Sequence, residues 1–157
     1  MASVKSARLP FSLELAQELL STYGSPLYVY QANILEQTIK CITQAFPYPR
    51  TQFHFASVTN GNISLLQIFR AAGWGLHANT PGDIYLGLQA GFAPEQIIYS
   101  GSNLNSMEME QVLNWGVTTL NLDSIAQLQM CLLPSLSIIS HSLTPPWFAS
   151  QSTGNNR

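Results

Sequence analysis

Residues 52–100 read QFHFASVTNGNISLLQIFRAAGWGLHANTPGDIYLGLQAGFAPEQIIYS. Short runs rich in aromatic and β-branched residues, at 52–57, 74–78 and 96–100, alternate with longer helical patterns at 63–72 and 81–90. Each helix start carries cap chemistry. Thr80-Pro81-Gly82-Asp83 offers a capping hydroxyl, a proline at the first helical position and an acid at the third. Gly73 and Gly91 close the two helices as left-handed residues. The pattern continues outward. Asn105 and Glu108 repeat the cap ahead of a helix at 106–115, which Gly116 closes. A strand follows at 118–122, and another helix begins near Ser124.

Four strand–helix units in succession imply an α/β fold with a parallel sheet and helices outside it. A complete eight-unit (β/α)8 TIM-type barrel needs about 250 residues. A chain of 157 residues has room for roughly half of one. An open doubly wound sheet is the alternative on pattern alone. Three regions are expected. Residues 1–50 form a helix–strand–helix lead-in, residues 51–132 the partial barrel, and residues 133–157 an irregular tail. In the lead-in, Ser12 caps a helix at 12–23 that ends at Gly24, and residues 26–30 read as a strand. Leu35, Ile39, Ile42 and Phe46 share one face of a helix at 32–46, ended by Pro47 and Pro49. The tail is rich in Ser, Thr and Pro, with Arg157 its one charge. Its abrupt start suggests a frameshift or premature stop.

Composition narrows the function classes. Hydrophobic residues make up 46% and charged residues only 9%, against about 25% in an ordinary globular chain. So little charge points to surface hidden against something or to poor solubility. The net charge is −2 with no basic stripe, which argues against nucleic-acid binding. No apolar run is long enough to cross a membrane, and no signal peptide is evident. Cys41 and Cys131 have neither metal-type nor disulfide-framework spacing, so reduced thiols in a cytoplasmic protein are expected. Lysine occurs twice, as Lys5 and Lys40.

Five segments, in order and in register over about residues 21–130, carry a resemblance. YGSPLYVY at 23–30 is similar to a "YGTPLYVY" opening. FASVTN at 55–60 falls where the same family has "YAVKAN", and LHANTPGD at 76–83 where it has "FDVASGGE". AGFAPEQIIYSG at 90–101 is similar to "AGFPPERIVFHG", and LNLDS at 120–124 to "INVDS". Together they resemble the pyridoxal-phosphate (PLP) dependent ornithine, diaminopimelate and arginine decarboxylases, with diaminopimelate decarboxylase nearest. The resemblance implies the N-terminal part of an alanine-racemase-like barrel, PLP as the family's cofactor, and a lyase activity.

The departures from that family bear on activity. The lysine that forms its Schiff base with PLP falls at Val58, and an isopropyl group forms no imine. The second lysine, in the family's "GNNKS", falls at Leu104, and the aspartate of "FDVAS" at His77. Beyond the fourth strand the resemblance would place the histidine that stacks on the cofactor, the phosphate loop, the acid that pairs with the pyridine nitrogen, and a β domain serving the partner subunit. The chain is therefore expected to be a decarboxylase-like fragment, inactive alone. The alternatives are a non-catalytic homologue that binds or regulates a full-length relative, a truncated product without function, or an enzyme that holds PLP without a covalent link. A half barrel exposes two sheet edges and an apolar inner face, so a homodimer or association with a relative is expected.

The candidate cofactor contacts are His77, Asn60, Ser100 and Gly101. Thr59-Asn60-Gly61-Asn62 reads equally as a ligand loop or as a turn with a helix cap. Ser100-Gly101-Ser102-Asn103 offers a backbone nest for an anion. His54 and His77 fall on adjacent strands facing one lumen. They read as a metal or acid/base pair, or as two histidines satisfied by local hydrogen bonds. No carboxylate or cysteine completes a ligand set, so no metal centre is expected.

Overall fold

The structure is a computed structural model that describes residues 11–132. Contacts divide the chain into two compact units, Met1–Leu35 and Glu36–Arg157. The tail at 133–157 and Lys5 lie outside the described residues.

In the first unit, helix α1 spans Leu13–Tyr23, and the Ser12 hydroxyl accepts from the Leu15 N–H at 3.2 Å. None of its residues is buried. The strand expected at 26–30 is absent. A strand exists only through a partner's ladder, and no described segment pairs with this one. Tyr28 is 86% exposed. Helix α2, Ala32–Ala45, begins in this unit and continues into the second.

The second unit holds the expected alternation: β1 (His54–Ala56), α3 (Ile63–Ala71), β2 (Gly75–Ala78), α4 (Pro81–Gln89), β3 (Ile97–Tyr99), α5 (Ser106–Asn114) and β4 (Thr119–Leu120). Residues 125–132 are again helical. The four strands lie in the order β1-β2-β3-β4, and every neighbouring pair is parallel.

The helices start and stop where the cap chemistry says. Asp83 Oδ2 accepts from the backbone of Asn79 and Thr80, and the Thr80 hydroxyl accepts from the Asp83 N–H. Asn105 and Glu108 form the same reciprocal box on α5. Gly73, Gly91 and Gly116 all take positive φ, which a side chain disfavours.

Register assigns the side chains to faces. Phe55 pairs with Leu76, Leu76 with Ile97, Ala78 with Tyr99, and Tyr99 with Leu120. This row faces the helices. Phe55 stacks on Phe69 of α3 with ring centroids 3.9 Å apart. Gly87 of α4 sits so close to Leu76 that a Cβ there would fall 2.3 Å from its Cδ2. Leu66, Leu76, Ile84, Ile97, Tyr99, Met109 and Val112 are fully buried in this layer. Each such side chain contributes roughly 1.5–3 kcal/mol through burial.

The other row is His54, Ala56, Gly75, His77, Ile98 and Thr119. The inner face expected to be apolar is therefore mixed. Of these residues, only Ile98 is a large aliphatic.

Candidate functional site

The strands end, in a parallel sheet, at loops that collect polar groups. β1 leads into a single 3-10 turn, Ser57–Thr59. Ser57 is buried, and its hydroxyl donates to the His77 carbonyl at 3.0 Å, tying the end of β1 to β2. Val58 therefore stands beyond the strand rather than on it, and is 66% exposed. Asn60 follows the turn, and its Oδ1 accepts from the Asn62 N–H at 3.0 Å. Asn62 then caps α3 through the Ser64 and Leu65 N–H groups.

The ends of β2, β3 and β4 are cross-linked by side-chain amides. Asn79 Nδ2 donates to the Ser100 carbonyl, and Asn121 Nδ2 donates to the Ser100 hydroxyl, both at 2.7 Å. Gln127 is buried. Its Oε1 accepts from the Asp123 N–H at 3.0 Å, and its Nε2 donates to the Gly101 carbonyl at 3.3 Å. The Ser102 hydroxyl donates to Asp123. Ser100, Gly101, Ser102, Asn121, Leu122 and Asp123 line a cleft of about 240 Å³ at this rim.

Gly101 is held tightly. A Cβ there would stand 2.0 Å from the Tyr99 hydroxyl and 2.1 Å from the Asn79 carbonyl oxygen. The chain's own atoms fill the close approach that a glycine permits. Among the described residues, the Tyr99 hydroxyl and Asn79 Oδ1 are buried without a hydrogen-bond partner. Burial raises the Tyr99 pKa above its usual 10.0, and Glu108, Asp123 and Asp83 push the same way.

A larger groove, about 670 Å³, lies on the outer side between α2 and α3, lined by Ile39, Lys40, Thr43 and Ile68 among others. It is mainly apolar and lacks the converging polar groups of the strand-end rim, so size alone does not make it the site.

The structure brings Ser100 and Gly101 together at the rim. His77 lies on the open face of β2, beside His54 of β1. Burial, and secondarily the charge of His77, hold the His54 pKa below its usual 6.5. Leu104 is 5% exposed, a core residue of the helix layer. Asn79, Asn121 and Gln127 were not singled out in the sequence. For Asn79 and Asn121 the one visible signal is an amide just past a strand end; Gln127, inside the helix at 125–132, has none.

Comparison with known proteins agrees with this architecture. The sequence profile described as "Pyridoxal-dependent decarboxylase, pyridoxal binding domain" matches residues 32–133. A diaminopimelate decarboxylase of Methanothermobacter thermautotrophicus is 37% identical over 115 residues, covering 72% of this chain and 27% of that protein. One from Helicobacter pylori strain J99 is 30% identical over 113 residues. This chain thus spans about a quarter of the length of these relatives. The crystal structure of Helicobacter pylori diaminopimelate decarboxylase complexed with L-lysine superposes with a TM-score of 0.72 at 27% identity, over 78% of this chain and 31% of that one. The lysine/ornithine decarboxylase of Vibrio vulnificus complexed with putrescine shares the fold, with a TM-score of 0.68 at 17% identity. The parallel four-stranded sheet with its outer helices is therefore a portion of a decarboxylase barrel. On the profile match over 32–133, the chain belongs to the pyridoxal-dependent decarboxylases, through their pyridoxal-binding domain.

Proposed function

We propose that this chain is a diaminopimelate-decarboxylase-like member that performs no decarboxylation on its own. One observation carries the reading. Val58 stands just past the end of β1, exposed and without an amine. The motif correspondence puts the family's imine-forming lysine at this position.

PLP is the family's cofactor, and the described residues do not fit its covalent attachment. Lys40 is their only lysine, and it lines the groove between α2 and α3 on the helix side of the sheet. Attachment requires a primary amine beside the cofactor aldehyde. Ser100 and Gly101 at the rim, Asn60 past the β1 turn and His77 on the open face offer hydroxyl, amide and imidazole groups, none of which can replace it.

The test is incubation of the purified chain with PLP, then borohydride and intact-mass measurement. No reduced adduct and no band near ~420 nm are expected, since both require a lysine imine. A stoichiometric adduct on Lys5 or Lys40 would overturn the reading.

A role in association is the second reading. Its support is the pair of edge strands, β1 and β4, each paired on one side only among the described residues. Such edges recruit partners. A homodimer or a complex with a full-length relative would cover them, and sedimentation of the chain alone and with such a relative distinguishes the two. A cytoplasmic setting suits Cys41 and Cys131, whose spacing gives neither a metal set nor a disulfide framework. Among the described residues no helix is long and apolar enough to cross a membrane.

A further inference from the structure

The open face of the sheet carries two imidazoles that the fold leaves without a task. His54 and His77 are both half-buried, on adjacent strands and on the same face. Among the described residues neither ring has a hydrogen-bond partner. The expectation of two histidines satisfied locally therefore does not hold for these rings. Half-buried nitrogens with no partner cost free energy unless water or a ligand meets them.

Their placement is set by Gly75. Across the ladder His54 faces Gly75, and Ala56 faces His77. With no side chain at 75, the His54 ring lies over β2. A Cβ on Gly75 would fall 2.3 Å from its Cδ2 and 2.5 Å from its Nε2. The His54 ring thus takes the place on β2 of a side chain at position 75. His77 stands two positions further along the same face. That interval is about 6.6 Å along a strand, and two imidazoles so spaced can turn their nitrogens onto one ion. The Gln96 carbonyl oxygen flanks the same space, 2.7 Å from that Cβ position.

We propose that His54 and His77 form a two-imidazole site for a borderline divalent cation, copper(II) or zinc, with water completing its coordination. Imidazole suits these ions, and copper(II) binds nitrogen ligands tightest in the divalent series. Among the described residues no third imidazole, thiolate or carboxylate joins the pair, so the ion keeps open positions. The site is independent of the decarboxylase reading, because neither ring needs PLP or a lysine.

The experiment uses the whole 157-residue chain. Copper(II) is titrated in a non-coordinating buffer at neutral pH, followed by calorimetry and by electron paramagnetic resonance, with zinc as competitor. One equivalent should bind, with two nitrogens coupled to the copper. His54→Ala and His77→Ala should each weaken binding by about ten-fold or more and remove one coupled nitrogen. His54→Gln and His77→Gln keep the polarity and should show the same loss. His141→Ala and Cys41→Ser with Cys131→Ser should leave binding unchanged. Failure to take up copper at sub-millimolar concentration overturns the proposal. So does unchanged affinity in either His54 or His77 variant, or a site that disappears with His141 or the cysteines.

Discussion

On the helix side of the sheet, Leu76, Ala78, Ile97 and Tyr99 are fully buried. On the opposite side, their strand neighbours His54, Ala56, His77 and Ile98 are only partly covered, and Thr119 is exposed. The same few strand residues build both faces, so the difference comes from what lies across from them. Three helices cap one face with close-packed side chains. Among the described residues the other face meets no second layer, and its chemistry is polar enough to stand in water. Stability resides on the first face, and the second is only partly covered among the described residues.

Adjacent residues on β2 offer the sharpest way to break this contrast. Leu76→Ala should lower the unfolding free energy by about 2–5 kcal/mol, the cost of a cavity in a closed core. His77→Ala should change it by less than about 0.5 kcal/mol, as a surface substitution does. Urea midpoints in the absence of added metal measure both. Equal losses would mean that the open face is covered in solution.

Gly101→Ala tests the rim. The added methyl would meet the Asn79 carbonyl and the Tyr99 ring, and backbone cannot swing aside. A loss of about 1–3 kcal/mol is expected from overpacking, again read from urea midpoints. Asn105→Ala removes one half of the α5 cap box and should cost about 1 kcal/mol, seen as a lower thermal midpoint.

The smallest effect belongs to Tyr99. Its folded-state pKa is raised above 10.0, burial being the main cause. The unfolded chain therefore loses this proton first as pH rises. The stability linked to Tyr99 is fully present below about pH 10 and is lost as pH climbs through the folded value. Tyr99→Phe should flatten the alkaline limb of stability against pH. It should not lower stability at pH 7, since the hydroxyl it deletes is buried with no partner among the described residues.

Much of the helix side was legible in the sequence, because its information is local. The Thr80/Asp83 and Asn105/Glu108 boxes each lie within four residues, and both formed as read. The strand cores were also visible as short apolar runs. What could not be read depended on contacts across the chain. Residues 26–30 have strand composition but form no strand with any described segment. The open face looked apolar only by analogy with a filled barrel, whereas register puts His54, Gly75, His77 and Thr119 there. Val58 does not belong to a strand face, because β1 ends at Ala56 and turns. Leu104 was weighed against a lysine in a site, but its own apolar character takes it into the core. The amide links from Asn79, Asn121 and Gln127 join residues 21, 21 and 26 positions apart, distances that no short motif encodes.

The strands lie side by side in the order in which the chain is made. Each new strand leaving a ribosome therefore finds the preceding one already folded and offering its free edge. Each pairing closes one helical crossover, with partners 21 residues apart, and such a closure costs less entropy than joining strands from opposite ends of the chain. Growth by addition leaves the last strand of the series with an unpaired edge, and among the described residues that strand is β4, an edge shaped to take a further parallel strand.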